Sequence, residues 1–137
     1  MACACGNLRA ATRAVTQLYD EVFQPLGLRA TQFSLLAAVD YMDTITITAL
    51  AEFFEMDRTT MTRNLRPLER EGYLTINEGQ DRRTREVKLT GQGRGAVAQG
   101  LPLWDKAQRR VVNGMGQENF DAFLKQLEEV STLARGP

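Results

Sequence analysis

The sequence predicts a mainly α-helical fold that carries one small β-hairpin. Three observations point there. Apolar residues recur at three- and four-residue spacing in five separate segments. Two short runs past the middle of the chain alternate at period two instead. A polar stretch containing one glycine, Glu78 to Arg85, joins those two runs at a length suited to an extended hairpin tip.

The first helix is expected from Asn7 to about Phe23. There Leu8, Ala11, Val15, Leu18 and Val22 share one face, and Pro25 and Gly27 end it. Thr31 is a candidate cap for a second helix reaching about Met42, with Phe33, Leu36, Ala37 and Val39 inward. Asp43 to Thr46 connects, and Ile45 to Ile47 suits a short strand. Thr48 would cap a third helix, Ala49 to Phe54, with Leu50, Phe53 and Phe54 at helical spacing. Glu55, Met56 and Asp57 make a turn, and Asp57 caps a fourth helix from Arg58 to Glu71, stopped by Gly72. Strands follow at Tyr73 to Asn77, with Leu74 and Ile76 at period two, and at Glu86 to Thr90, with Val87 and Leu89 the same way. Two helices close the chain, at about Gly93 to Asn113 and Gln117 to Ala134. The last bears a stripe of Phe120, Phe123, Leu124, Leu127, Val130 and Leu133.

Composition narrows the function. The chain has 137 residues, within the size of one domain, and 43% of them are hydrophobic, enough for a real core. No apolar run approaches the roughly 18 residues of a membrane span, and the N-terminus lacks the apolar centre of a signal peptide, so the cytoplasm and no membrane partner are expected. Two cysteines cannot build a disulfide framework. There is no histidine, which removes Ser/His and Cys/His catalysis and His-ligated metals. No catalytic constellation is visible, so no enzyme and no cofactor are expected.

The net charge is zero, but it is unevenly spread. Between Arg58 and Arg94 nine basic residues face five acidic ones, a local excess of four. Local field, not total charge, decides whether a phosphate backbone is attracted. The fourth helix divides by its own periodicity. Met61, Leu65 and Leu68 form its buried stripe, while Arg58, Thr59, Thr62, Arg63 and Arg66 point away. A short helix, a tight turn and a longer helix with Arg and Thr at its outer N-terminal end is the layout of a helix-turn-helix. Threonine hydroxyls and helix N-terminal amides bond phosphates, and arginine forks reach guanine edges in the major groove. The hairpin adds a wing whose tip carries Asp81, Arg82, Arg83 and Arg85. Such a tip is narrow enough for a minor groove, whose negative potential draws arginine, and a neighbouring carboxylate can hold an arginine extended through a bidentate pair.

These residues resemble a known family. Leu50-Ala51-Glu52, the run Met56 to Leu65, and Leu68-Glu69-Arg70-Glu71-Gly72-Tyr73 are similar to the MarR (multiple antibiotic resistance regulator) family. So are Asp81-Arg82-Arg83, Val87-Lys88-Leu89-Thr90 and Gly93. The resemblance covers nearly the whole chain. It implies a single domain, 1–137, with a winged helix-turn-helix at about 28–92 and dimerisation helices at 1–27 and 93–137. It implies a homodimer on a pseudo-palindromic double-stranded DNA operator, usually a repressor released by a small ligand or oxidant. It places Thr59, Thr60, Thr62, Arg63 and Arg66 toward DNA and has Asp81 position Arg83 for the minor groove.

Other features stand apart. Pro67 and Pro102 fall inside predicted helices and should bend them. Gly91-Gln92-Gly93-Arg94-Gly95-Ala96 matches the dinucleotide fingerprint G-x-G-x-x-A, yet no second parallel strand follows, which argues against a nucleotide-binding enzyme. Cys3 and Cys5 are either an inert exposed terminus or a redox or soft-metal sensor. Tyr19, Phe23, Phe33 and Trp104 are either core or the lining of a pocket for a small-molecule effector. The rival class is a helical protein-interaction module without DNA binding, which explains the helices but not the Arg/Thr helix together with the charged wing.

Overall fold

The computed structural model describes residues 2–137. Helix α1, Ala4–Phe23, runs through a 3-10 turn, Gln24–Leu26, to α2, Ala30–Met42. Strand β1, Thr44–Thr46, leads into α3, Ile47–Phe53, and α4, Arg58–Arg70. The hairpin of β2, Leu74–Glu78, and β3, Arg85–Leu89, precedes α5, Gly91–Met115, and α6, Gln117–Arg135. This is the expected winged helix-turn-helix between terminal helices. Both proline-containing helices run on through Pro67 and Pro102.

The sheet is antiparallel in the order β1-β3-β2. Ile45 pairs with Val87, and Val87 also pairs with Ile76, so the wing is tied back to the start of the helix-turn-helix. One core lies beneath. Leu36, Val39, Leu50, Met61, Leu65, Leu68 and Val87 are fully shielded from solvent. The stripe expected of α4 is therefore the stripe it buries. Leu28 and Leu35 join the core as well, while Ala37 is only half-buried.

Three helix starts differ from expectation, each for a local reason. The second helix is not capped by Thr31. It begins at Ala30, whose amide donates to Asp20 Oδ1 at 2.7 Å, so a carboxylate from α1 does the capping. The third begins at Ile47, because Thr46 Oγ1 accepts from Ala49 N at 3.1 Å and Ile47 is needed inside. The first begins at Ala4 with Cys3 at the N-cap, its Sγ accepting from Gly6 N at 3.5 Å. Phe53, one of the apolar residues at helical spacing in α3, is 59% exposed and meets Phe54 edge-to-face. Helix α3 is only seven residues long and its single inner face is already filled by Ile47, Leu50 and Ala51.

The terminal helices are sparsely covered. Phe23 is the buried residue of α1 and Phe120 that of α6. Leu124, Val130 and Leu133, three members of the predicted stripe, are exposed.

Candidate nucleic-acid interface

The turn between α3 and α4 sets the pose of the fourth helix. Glu55 takes a left-handed conformation, φ 55°, and Met56 N donates back to Ala51 O at 2.9 Å, which closes α3. The chain then extends through Asp57. Its Oδ1 accepts from Thr60 N at 2.7 Å and its Oδ2 from the Thr60 hydroxyl at 2.9 Å. The bond from the Thr60 amide, then that from its hydroxyl, hold the Asp57 carboxyl below its ordinary range, and the charge of Arg63 adds to the effect. Thr60 is thereby committed to the cap and offers neither donor to a phosphate.

The other α4 residues singled out from sequence divide by environment. Arg58, Thr59, Arg63 and Arg66 are exposed, and Thr62 is half-buried. Arg66 pairs with Glu69 at 2.9 Å, one turn along the same helix. Reaching a base or phosphate would require it to leave that partner.

The wing is a tight structure of its own. Thr84 N and Thr84 Oγ1 both donate to Asp81 O, at 2.9 and 2.7 Å, and Gly79 N donates to Thr84 O. A side chain at Gly79 would run into the Thr84 hydroxyl, so the wing's hydrogen bonds would have to shift to admit one. Asp81 Oδ1 accepts from Arg83 N at 3.0 Å and contacts Arg83 Nε at 3.5 Å. The side-chain pairing is single, not the bidentate fork anticipated from sequence, with the same carboxylate oxygen also accepting from the Arg83 backbone. Arg83 keeps its guanidinium in solvent, with a side chain 91% exposed. Arg85 turns back onto the carbonyls of Arg82 and Thr84, while Arg82 stays exposed.

The glycine-rich stretch after β3 does something other than cradle a phosphate. Thr90 Oγ1 donates to Gly72 O at 2.6 Å and accepts from Gly93 N at 3.1 Å, so the N-terminus of α5 is capped from within. A Cβ at Gly93 would collide with the Tyr73 carbonyl. Glycine is needed there for helix-on-strand contact, in an antiparallel sheet that lacks the parallel strand a dinucleotide fold requires.

A cavity of about 430 Å³ opens between α1, α2, the α3–α4 turn and α5. Tyr19, Phe23 and Trp104 line it as anticipated, with Met56 and Asn64. Phe33 does not. It stacks on Phe23 with ring centroids 4.4 Å apart, and its other side fills the space a side chain at Gly100 would need. Phe33 instead backs a shallower apolar groove of about 420 Å³ with Tyr41, Phe53 and Trp104. The Tyr19 hydroxyl donates to Gln108 Oε1 at 2.6 Å, joining α1 to α5, and burial raises its pKa. Asn64 was not singled out from sequence: as a polar residue beside Arg63 it carries no signal of facing a cavity.

Cys3 and Cys5 are exposed on the first turn of α1. Among the described residues no group of three Cys, Asp or Glu side chains is placed to hold a metal ion. No helix among them is long and apolar enough to cross a membrane.

Residues 28–84 match the MarR family model. The solved DNA complex of the Mycobacterium tuberculosis transcriptional regulator MosR is 36% identical. It aligns over 94% of this chain and 98% of that one, with a TM-score of 0.80. The chain belongs to the MarR family. The transcriptional repressor CouR, solved on a 23-mer DNA duplex, aligns over 95% of this chain and 93% of its own at 25% identity and a TM-score of 0.85. A Bacillus cereus protein named as an uncharacterised HTH-type transcriptional regulator is 32% identical over 91 residues, 66% of this chain, and the match spans 60% of that relative's length. The MarR-family match ends inside the wing, and the full-length likeness extends through the terminal helices.

Proposed function

We propose that the protein is a homodimeric transcriptional regulator that binds a pseudo-palindromic operator, with α4 in the major groove and the wing at the adjacent minor groove. It acts as a repressor released by an effector. The observation that carries this reading is the exposed arginine set, Arg58 and Arg63 on α4 with Arg82 and Arg83 on the wing, in a chain of zero net charge. Solvated arginines concentrated on a helix-turn-helix and its wing supply both phosphate attraction and base-edge donors. MosR and CouR, to which the chain is similar over nearly its whole length, are both solved bound to DNA, which supports a DNA-binding reading. Thr59 and Thr62 serve as phosphate contacts, and Arg66 joins them once released from Glu69.

The dimer follows from what one chain leaves uncovered. Helix α6 buries only Phe120 and exposes Leu124, Val130 and Leu133, so a second copy against α1 and α6 is the natural cover. A purely protein-binding module would account for that face but not for the arginines.

Release is assigned to two places. The 430 Å³ cavity touches both the dimerisation helices and α4, so an occupant bears on both. Cys3 caps α1, so oxidation or soft-metal binding there alters a helix of the proposed interface. This is the function of a binder rather than of an enzyme.

The test is a mobility-shift titration on DNA from upstream of the protein's own coding region. Binding to a palindrome with half-sites about 10 base pairs apart is expected, with affinity falling steeply as salt rises. Salt-independent binding, or a monomer mass for the intact chain by light scattering, would overturn the reading.

A further inference from the structure

The peptide group that joins Arg82 to Arg83 is held at both ends by side chains of opposite charge. Its N–H, on Arg83, donates to Asp81 Oδ1 at 3.0 Å. Its carbonyl oxygen, on Arg82, accepts from Arg85 Nη1 at 3.1 Å. The anion thus sits at the positive end of the peptide dipole and the cation at the negative end. Both bonds are charge-assisted, the stronger kind. The same Nη1 also donates to Thr84 O at 3.2 Å, and Thr84 O accepts from Gly79 N across the hairpin. The guanidinium is therefore anchored to the base of the tip while it holds the top.

Arg85 takes this position although a carboxylate stands opposite. Glu78 is its cross-strand partner in the β2–β3 pair. Opposite charges at such a site attract. Among the described residues no ion pair joins the two, and the guanidinium goes to the carbonyls instead. A peptide group is planar, so the angle between the Arg82 and Arg83 side chains is set by two torsions, ψ of Arg82 and φ of Arg83. Holding the plane at both edges fixes both torsions. With one edge released the plane can turn, and the two exposed side chains lose their common aim.

We propose that Asp81 and Arg85 form a two-sided clamp on the Arg82–Arg83 peptide, and that Arg85 is a positioning residue that presents Arg82 and Arg83 to DNA rather than a DNA contact itself. The inference rests on the DNA-binding reading above and adds to it the role of the last wing arginine. Arg85 Nε and Nη2 keep donors to spare, so the experiment has to separate a clamp from a contact.

Arg85→Met removes the donors and keeps an unbranched side chain at an exposed strand end, where the core is not touched. In the DNA-free protein, exchange of the Arg83 amide proton with water, read by NMR, should quicken by at least roughly threefold. Exchange at the wild-type rate overturns the clamp. On DNA, affinity for the upstream fragment is compared in two backgrounds, wild type and Arg82→Ala/Arg83→Ala, at salt low enough for both to bind. A clamp acts through those two arginines. The rise in Kd caused by Arg85→Met should therefore be at least roughly threefold larger in the wild-type background. A smaller difference means that Arg85 meets DNA on its own account and overturns the positioning role. Absence of sequence-selective binding by the wild type would count against the regulator reading, while the exchange measurement still decides the clamp.

Discussion

Two glycines near the start of α5 should respond to the same substitution with opposite signs. At Gly93 an alanine Cβ would collide with the Tyr73 carbonyl oxygen and lie 3.1 Å from its carbon and 3.3 Å from Leu89 Cβ. The Tyr73 carbonyl cannot swing away cheaply, because it accepts from Thr90 N at 3.1 Å. Relief means lifting α5 off the β2–β3 hairpin, an overpacking cost of about 1–3 kcal/mol. It also disturbs the bond from Gly93 N to Thr90 Oγ1, a cap worth about 1 kcal/mol. Together these give about 2–4 kcal/mol. At about 4 °C per kcal/mol for a chain of this size, Gly93→Ala should lower the melting temperature by roughly 8–16 °C. A Cβ at Gly95 meets nothing within 4 Å, and its φ lies outside the left-handed region. Gly95→Ala should therefore stabilise by about 0.5–1 kcal/mol through helix propensity, raising the melting temperature by roughly 2–4 °C. Thermal unfolding followed by circular dichroism at equal protein concentrations measures both. A Gly93→Ala protein that melts at or above the wild-type temperature would refute the close-contact argument.

Arg63→Ala should lessen discrimination between the operator and single-base variants by about 1–3 kcal/mol at one position per half-site, measured by competition binding. A uniform loss on all sequences would leave Arg63 only a phosphate role. Asp81→Ala should weaken operator binding although it removes a negative charge, because Asp81 holds the backbone and Nε of Arg83; tighter binding would end the positioning role. The Asp57 carboxyl is held below its ordinary value of 3.8, so its cap adds stability that is complete above that value and is lost as pH falls through the depressed one. The stability advantage of wild type over Asp57→Ala, read by urea denaturation, should be full at neutral pH and vanish well below pH 3.8. Peroxide should reduce operator binding by the wild type but not by the Cys3→Ser/Cys5→Ser double variant, and an equal loss in both would clear the cysteines.

Local signals carried far in this chain. Met61, Leu65 and Leu68 repeat at helical spacing behind an aspartate cap, and they are buried as that spacing demands. The hairpin strands lie within one residue of the period-two runs, with Leu74, Val87 and Leu89 inside. Both features depend on periodicity and capping, which neighbouring residues determine among themselves.

The sequence by itself thus determined the order of the elements, the buried stripe of α4, the charged wing and the family likeness. Only the tertiary structure decided that Asp20, from another helix, caps α2, and that Gly93 is glycine because a strand carbonyl presses on it. It alone stacked Phe33 on Phe23, left Phe53 exposed and brought Asn64 to the cavity and into a bond with Met56. These outcomes share one physical reason. Each depends on which residue from a distant part of the chain occupies the space beside a side chain, and that neighbour is settled when helices and sheet pack together, not by spacing along the chain.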